Sequence, residues 1–154
     1  METIIGQSRS FLEAQAKAQK VAAEATIVLL LGESGTGKEL FARMIHNLSP
    51  RSAGPFVATN FAAIPKDLHE SELFGYELGV SAGGPKRKIG KFETAAKGTV
   101  FLDKIAAMDL TAQAKLLQVL ENESFTRVGG THRVKANVRV VAATDTDLKD
   151  RVAQ

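Results

Sequence analysis

A chain of 154 residues, 44% apolar and 24% charged, is long enough to bury one α/β-sized core and has the balance of an ordinary globular domain. Its lack of cysteine excludes a disulfide framework. No apolar stretch approaches a membrane span, so no membrane partner is expected. A net charge of +3 is too small to argue for nucleic acid by itself, and the one dense basic cluster, Lys86-Arg87-Lys88 with Lys91 close behind, reads as a solvated loop. No leader pattern opens at Met1-Glu2-Thr3, and the cytoplasm is the expected compartment.

Residues 9–24 are alanine-rich and helix-favouring, as for a helix lying over a sheet. The run from Thr26 to Leu31 has no polar alternation and reads as a buried strand. It breaks at Gly32, and a helical pattern opens at Lys38, running to Leu48 with Phe41, Ile45 and Leu48 on one face. Between them lie Gly32, Glu33, Ser34, Gly35, Thr36 and Gly37, followed by Lys38 and Glu39. Strand, glycine loop and helix start have the form of a phosphate-binding loop. The glycines let successive backbone N–H groups turn toward phosphate oxygens, and the helix adds its positive dipole end. Lys38 would place a point charge on the β- and γ-phosphates. A Ser or Thr normally follows that lysine to hold Mg²⁺; here Glu39 follows. A plain glycine-rich turn is the alternative, and the three glycines, the lysine and both flanking elements in order argue against it.

Ser49-Pro50 and Ser52-Ala53-Gly54-Pro55 break the chain after this helix. Phe56 to Thr59 reads as a second short strand, and Leu68 to Phe74 has helical spacing. Gly79 to Pro85 holds three glycines and a proline in seven residues and reads as a mobile loop. Gly98 to Asp103 is a third buried strand, ending in an acid. Residues 111–122 form an apolar helix, Phe125 to Val134 a hairpin centred on Gly129-Gly130, and Val138 to Ala143 a fourth strand. Strands alternating with helices predict a mostly parallel sheet with right-handed crossovers.

Several motifs now stand together: Gly32 to Glu39; Ile45-His46 with Ser49 and Arg51; Ala62-Ala63-Ile64-Pro65; and Glu70-Ser71-Glu72-Leu73-Phe74-Gly75. Gly90-Lys91-Phe92-Glu93, Gln113-Ala114-Lys115-Leu116-Leu117 and Arg127-Val128-Gly129-Gly130 continue the series. With these, the chain from Ile4 to Leu148 resembles the AAA+ central domain of sigma-54-dependent transcriptional activators of the nitrogen-regulator type. The resemblance implies a P-loop NTPase three-layer sandwich, ATP or ADP with Mg²⁺ as cofactors, and ring assembly with ATP between subunits. It also implies hydrolysis that drives a loop against sigma-54 to remodel RNA polymerase at a closed promoter. Glu39 is then the family's own signature. By the same resemblance Lys38 and the loop glycines contact phosphates, Asp103 holds the Mg²⁺-water shell, and Ile4, Ile5 and Gly6 lie near the adenine. Asn60 matches the asparagine that restrains the catalytic glutamate. His46 reads as a satisfied helix-end histidine, not a ligand.

Three departures from the family pattern bear on output. Lys104 stands where the family has the glutamate that deprotonates the attacking water, and an ammonium only donates. Gly79, Val80, Ser81, Ala82, Gly83 and Gly84 stand where the family has the sigma-contacting Gly-Ala-Phe-Thr-Gly-Ala, so its aromatic and hydroxyl are gone. Asp145 stands at the sensor asparagine and would repel a γ-phosphate. Surface drift would not concentrate at these places.

The family continues into arginine fingers, a fifth strand and a helical lid, and carries receiver and helix-turn-helix domains elsewhere. This chain is therefore expected to be a single truncated AAA+ subdomain over 1–154, reaching DNA only through a domain outside it. The preferred reading is a nucleotide-binding domain of a response-regulator-type activator that has lost the motor. A working motor using another acid (Glu70, Glu72 and Glu93 are candidates by charge alone) and a scaffold that binds no nucleotide are the alternatives. Without a fifth strand, Thr26 to Leu31 is expected at a bare edge that self-associates or is covered by residues 1–24.

Overall fold

The apolar runs become a parallel sheet with helices on both faces. The computed structural model describes residues 16, 20, 27–31, 37–77 and 87–144. In chain order the elements are β1 (Val28–Leu31), α1 (Lys38–Leu48), β2 (Phe56–Asn60), α2 (His69–Phe74), α3 (Lys91–Thr94), β3 (Thr99–Asp103), α4 (Leu110–Asn122), β4 (Ser124–Thr126), β5 (Arg133–Lys135) and β6 (Arg139–Thr144). Four strands pair in the order β1-β6-β3-β2, every pair parallel. The expected hairpin is present as the antiparallel pair β4–β5, with Phe125 opposite Val134. Of the expected helix over 9–24, only Ala16 and Lys20 are described, and both are helical.

β3 carries the core because both of its faces are buried. Val100 and Leu102 enter one apolar cluster and Phe101 the other, each 1% exposed or less. β6 repeats this alternation, Val140 and Ala142 on one side and Val141 and Ala143 on the other. Such a strand reads as a continuous apolar run, as it did in the sequence. The first cluster holds Phe61, Leu73, Phe74, Phe92, Leu116, Val119 and Phe125, drawn from the turn after β2, α2, α3, α4 and the hairpin. The second packs Ala42 and Ile45 of α1 against Phe101, Val141 and Ala143. Each buried Phe or Leu contributes about 1.5–3 kcal/mol relative to exposure.

α4 starts where the Asp109 carboxylate accepts a hydrogen bond from Thr111 N–H at 3.0 Å. It ends at Glu123, in the left-handed conformation at φ 55°. Two expectations need correction. Leu48 does not share the buried face of Ile45 but is 46% exposed, because Ala42, Ile45 and His46 are the residues that α1 turns to the sheet. α3 is a helical turn that no periodicity announced; its Phe92 stacks on Phe74 at 5.3 Å between centroids. β1 lies at the edge of the sheet among the described residues, Val28 and Leu30 facing α1 and Leu29 and Leu31 exposed.

His46 is the satisfied histidine that the sequence suggested. It is 4% exposed. The Gly54 carbonyl lies 3.0 Å from Nε2 and can only accept, so Nε2–H donates. Nδ1 then accepts from the Thr99 hydroxyl at 2.8 Å. Burial holds its pKa below the ordinary 6.5, with Arg139 and Arg43 adding to the effect and the Gly54 carbonyl opposing it. The unfolded chain therefore takes up this proton first as pH falls. Stability from this site is complete above pH 6.5 and declines as pH drops below it toward the folded value. Denaturant titrations between pH 8 and 5 should show that decline, and His46→Gln should flatten it; an equal slope in both proteins would contradict this assignment.

Candidate functional site

In a sheet buried on both faces, polar groups gather at the strand ends, and ligands of open parallel sheets bind beyond the carboxyl ends. Register sets that edge here. Leu31 pairs with Thr144, and Asn60 pairs with Asp103. β1, β6, β3 and β2 thus all finish on one rim with Leu31, Thr144, Asp103 and Asn60 as their last residues. α1 begins after β1, at Lys38.

Gly37 caps α1 in the left-handed conformation at φ 82°, ψ 27°, which a side chain adopts at a cost of about 1–2 kcal/mol. Gly37 brings no capping side chain of its own, and the first helical bond runs from Phe41 N–H to the Gly37 carbonyl at 3.1 Å. A helix start of this kind presents N–H groups and a positive dipole end to an anion. Glu39 is exposed on the first turn, 3.9 Å from Arg43. Gly32, Glu33, Ser34, Gly35 and Thr36 lie outside the described residues, as do Ile4, Ile5, Gly6, Asp145 and the loop Gly79 to Gly84.

Asn60 and Asp103 are held together by the main chain. The Asp103 carbonyl accepts Phe61 N–H at 3.2 Å, and the Asn60 side-chain oxygen accepts Ala62 N–H at 2.9 Å. His69 fixes the turn that follows. It is fully buried, its Nε2–H donates to the Phe61 and Ile64 carbonyls at 3.1 and 2.8 Å, and its Nδ1 accepts Asp109 N–H at 3.0 Å. No local pattern announces this role, since its partners are backbone groups, two in the turn after β2 and one before α4.

Lys104 follows Asp103 in the left-handed conformation, φ 58°, ψ 45°. Its backbone N–H donates to Asp103 Oδ1 at 2.9 Å. The donors described therefore fit a divalent cation poorly. One carboxylate is present, one of its oxygens already accepts a hydrogen bond, and an ammonium-bearing residue adjoins it. Among the described residues no group of three or more His, Cys, Asp or Glu gathers to hold a metal. The three acids considered as substitutes are each engaged by a base: Glu70 by Lys115 at 3.3 Å, Glu72 by Lys88, and Glu93 by Arg127 through two bonds of 2.8 Å.

Arg127 also bonds Glu77 at 2.8 Å, and these carboxylates, Glu93 first, hold its guanidinium pKa above the ordinary value. Tyr76 exchanges backbone hydrogen bonds with Lys88, while Glu77 N–H reaches the Val128 carbonyl and Val128 N–H the Gly75 carbonyl. The N-terminal end of the segment carrying residues 79–84 is thus clamped to the Arg127–Gly130 turn, and its C-terminal end, at Lys88, to Tyr76. Sequence reading quoted Arg127 in a motif but gave it no task, because Glu77 and Glu93 lie 50 and 34 residues away.

A family model described as the sigma-54 interaction domain matches residues 4–154. The Nif-specific regulatory protein of Rhodobacter capsulatus is 49% identical over the whole of this chain, which covers 27% of that protein, about a quarter of its length. NtrX from Brucella abortus in complex with ATP matches with a TM-score of 0.90 and 38% identity, over 98% of this chain and 32% of that one. The P-loop NTPase domain of an E. coli sigma-54 activator shares the fold at TM-score 0.64 and 21% identity, over 97% of this chain and 84% of that one. The α/β sheet with a glycine-capped helix at its carboxyl rim is a P-loop NTPase fold, and the chain belongs to the sigma-54 interaction domain family.

Proposed function

We infer that this chain is the ATP-binding domain of a sigma-54-dependent transcriptional regulator of the response-regulator type, one that binds ATP and ADP but hydrolyses ATP slowly or not at all. The observation that carries this reading is Lys104, directly after Asp103 at the end of β3. Removing a proton from the attacking water needs an acceptor within hydrogen-bond reach, and an ammonium offers donors alone. Binding is supported separately by the cap of α1 and by NtrX, which is described in complex with ADP and with ATP.

Asp145 opposes the γ-phosphate, so ATP is expected to bind little better than ADP. Contact with sigma-54 is weakened because Ser81 stands at the position of the family's phenylalanine, and burial of a Phe-sized side chain is worth about 1.5–3 kcal/mol. The position of β1 at the edge of the sheet among the described residues supports self-association of the chain through it, or cover by the chain's own residues 1–24.

Lys38→Ala should weaken ATP binding by about 1.5–3 kcal/mol, the worth of a charge-assisted contact, while leaving the melting temperature of the free chain unchanged. Calorimetric titration that finds equal affinities would remove Lys38 from the site. Steady-state phosphate release should run about 10²–10⁴-fold below that of a family member with the glutamate, the usual contribution of a general base. A comparable rate would restore the working motor as the better reading.

A further inference from the structure

The sheet has a second rim, at the amino-terminal ends of its strands, where Phe56, Thr99 and Arg139 begin β2, β3 and β6. Five steps of about 3.3 Å along β6 place it about 16 Å from the carboxyl rim. There the end of α4, β5 and the start of β6 border a cleft of about 670 Å³, within the size range of sites that take a ligand. Its floor is apolar, with Phe92, Val119 and Val140 each 5% exposed or less. Among the described residues that line it, Arg51, Lys135 and Arg139 are basic and Glu123 is acidic. We propose that this cleft docks an acidic peptide segment of a partner protein, with an apolar side chain of the segment on the floor and its carboxylates on Arg51 and Lys135. The proposal stands apart from the nucleotide reading, which concerns the opposite rim.

Arg51 is oriented without being neutralised. Its guanidinium donates to the Asn137 carbonyl at 3.2 Å and to the Asn137 side-chain oxygen at 3.0 Å. The same carbonyl accepts Lys97 N–H at 2.7 Å. Ser49 Oγ accepts Arg51 N–H at 3.1 Å and donates to the His46 carbonyl at 2.7 Å, which fixes the base of the side chain. All these partners are neutral, and the two guanidinium bonds leave donors of its five N–H groups unused. The ion pairs of the described residues involve neither Arg51 nor Lys135. Arg127 is the contrast, since Glu77 and Glu93 both pair with it. A fork held in place with donors to spare takes a carboxylate through charge-assisted bonds, at a smaller ordering cost than a free side chain.

The arrangement selects the class of ligand. Arg51 follows α1 and Lys135 lies on β5, so the two bases come from separate segments, and a ligand that meets both carries more than one carboxylate. The apolar floor gives an inorganic anion nothing to bury, whereas a Leu- or Phe-sized side chain gains about 1.5–3 kcal/mol there. Acidic residues flanking an apolar one satisfy both requirements.

The test is fluorescence anisotropy of the full chain with a labelled peptide, Glu-Asp-Leu-Phe-Glu-Asp, at low ionic strength. The peptide should bind. Changing its acids to the corresponding amides, or Leu-Phe to Ala-Ala, should weaken binding at least about tenfold. Lys135→Glu and Arg51→Gln should each weaken it at least about fivefold, with thermal melts confirming that both variants are folded. Added ATP should leave the peptide bound. Equal binding of the amide peptide, or Lys135→Glu binding that is unchanged, overturns the proposal. Displacement by ATP places the peptide elsewhere and overturns it as well. Absence of peptide binding overturns it too, and decanoate binding in that case assigns the cleft to small amphipathic acids instead.

Discussion

Burial of β3 on both faces is the constraint from which the rest follows. Val100, Phe101 and Leu102 fill the middle of the strand with apolar side chains and the Thr99 hydroxyl is taken up by His46, so the polar groups left to face solvent are Asp103 and Lys104 at its end. The parallel register then brings Asn60, Asp103, Thr144 and Leu31 to one rim, and α1 must begin there because it follows the last residue of β1. One packing requirement thus determines both where the core lies and where a phosphate can bind.

Position and chemistry are separable at that rim. On the nucleotide-binding reading, the described parts of the phosphate site are the end of β1, the left-handed Gly37 and the start of α1 at Lys38. On the reading proposed above, the groups that would turn binding into work are altered in charge, with Lys104 for an acid and Asp145 for an amide. Changing a side chain at a strand end costs the core almost nothing, which is why a domain of this kind keeps its fold when its chemistry changes. The clamp of Arg127 on Glu77 and Glu93 likewise preserves the stem of the segment holding residues 79–84, whatever that segment contacts.

Much of this was legible in the sequence, and the exceptions have physical causes. Apolar runs located β1, β2, β3 and β6 to within about two residues; β3 and β6, buried on two faces, need no period beyond continuity, whereas β1, expected as buried, covers one face only, with Leu29 and Leu31 exposed. The hairpin was announced by Gly129-Gly130. α3 was missed because four residues are too short to show a period. Leu48 was placed inward because helical spacing gives a stripe but not its width. Arg127 was silent because Glu77 and Glu93 lie far along the chain, and His69 because its partners are backbone groups, which leave no mark in the sequence. The departure at Lys104 was legible through family resemblance alone; its left-handed backbone and its bond to Asp103 were not.

The central claim, a nucleotide held but not consumed, is tested most directly by identifying what the chain retains. The purified protein is incubated with ATP for hours, freed of unbound nucleotide, denatured, and its released nucleotide separated by chromatography. The account predicts recovery of unaltered ATP at a substantial fraction of one per chain. Recovery of ADP, with several equivalents of phosphate released into solution, would contradict it.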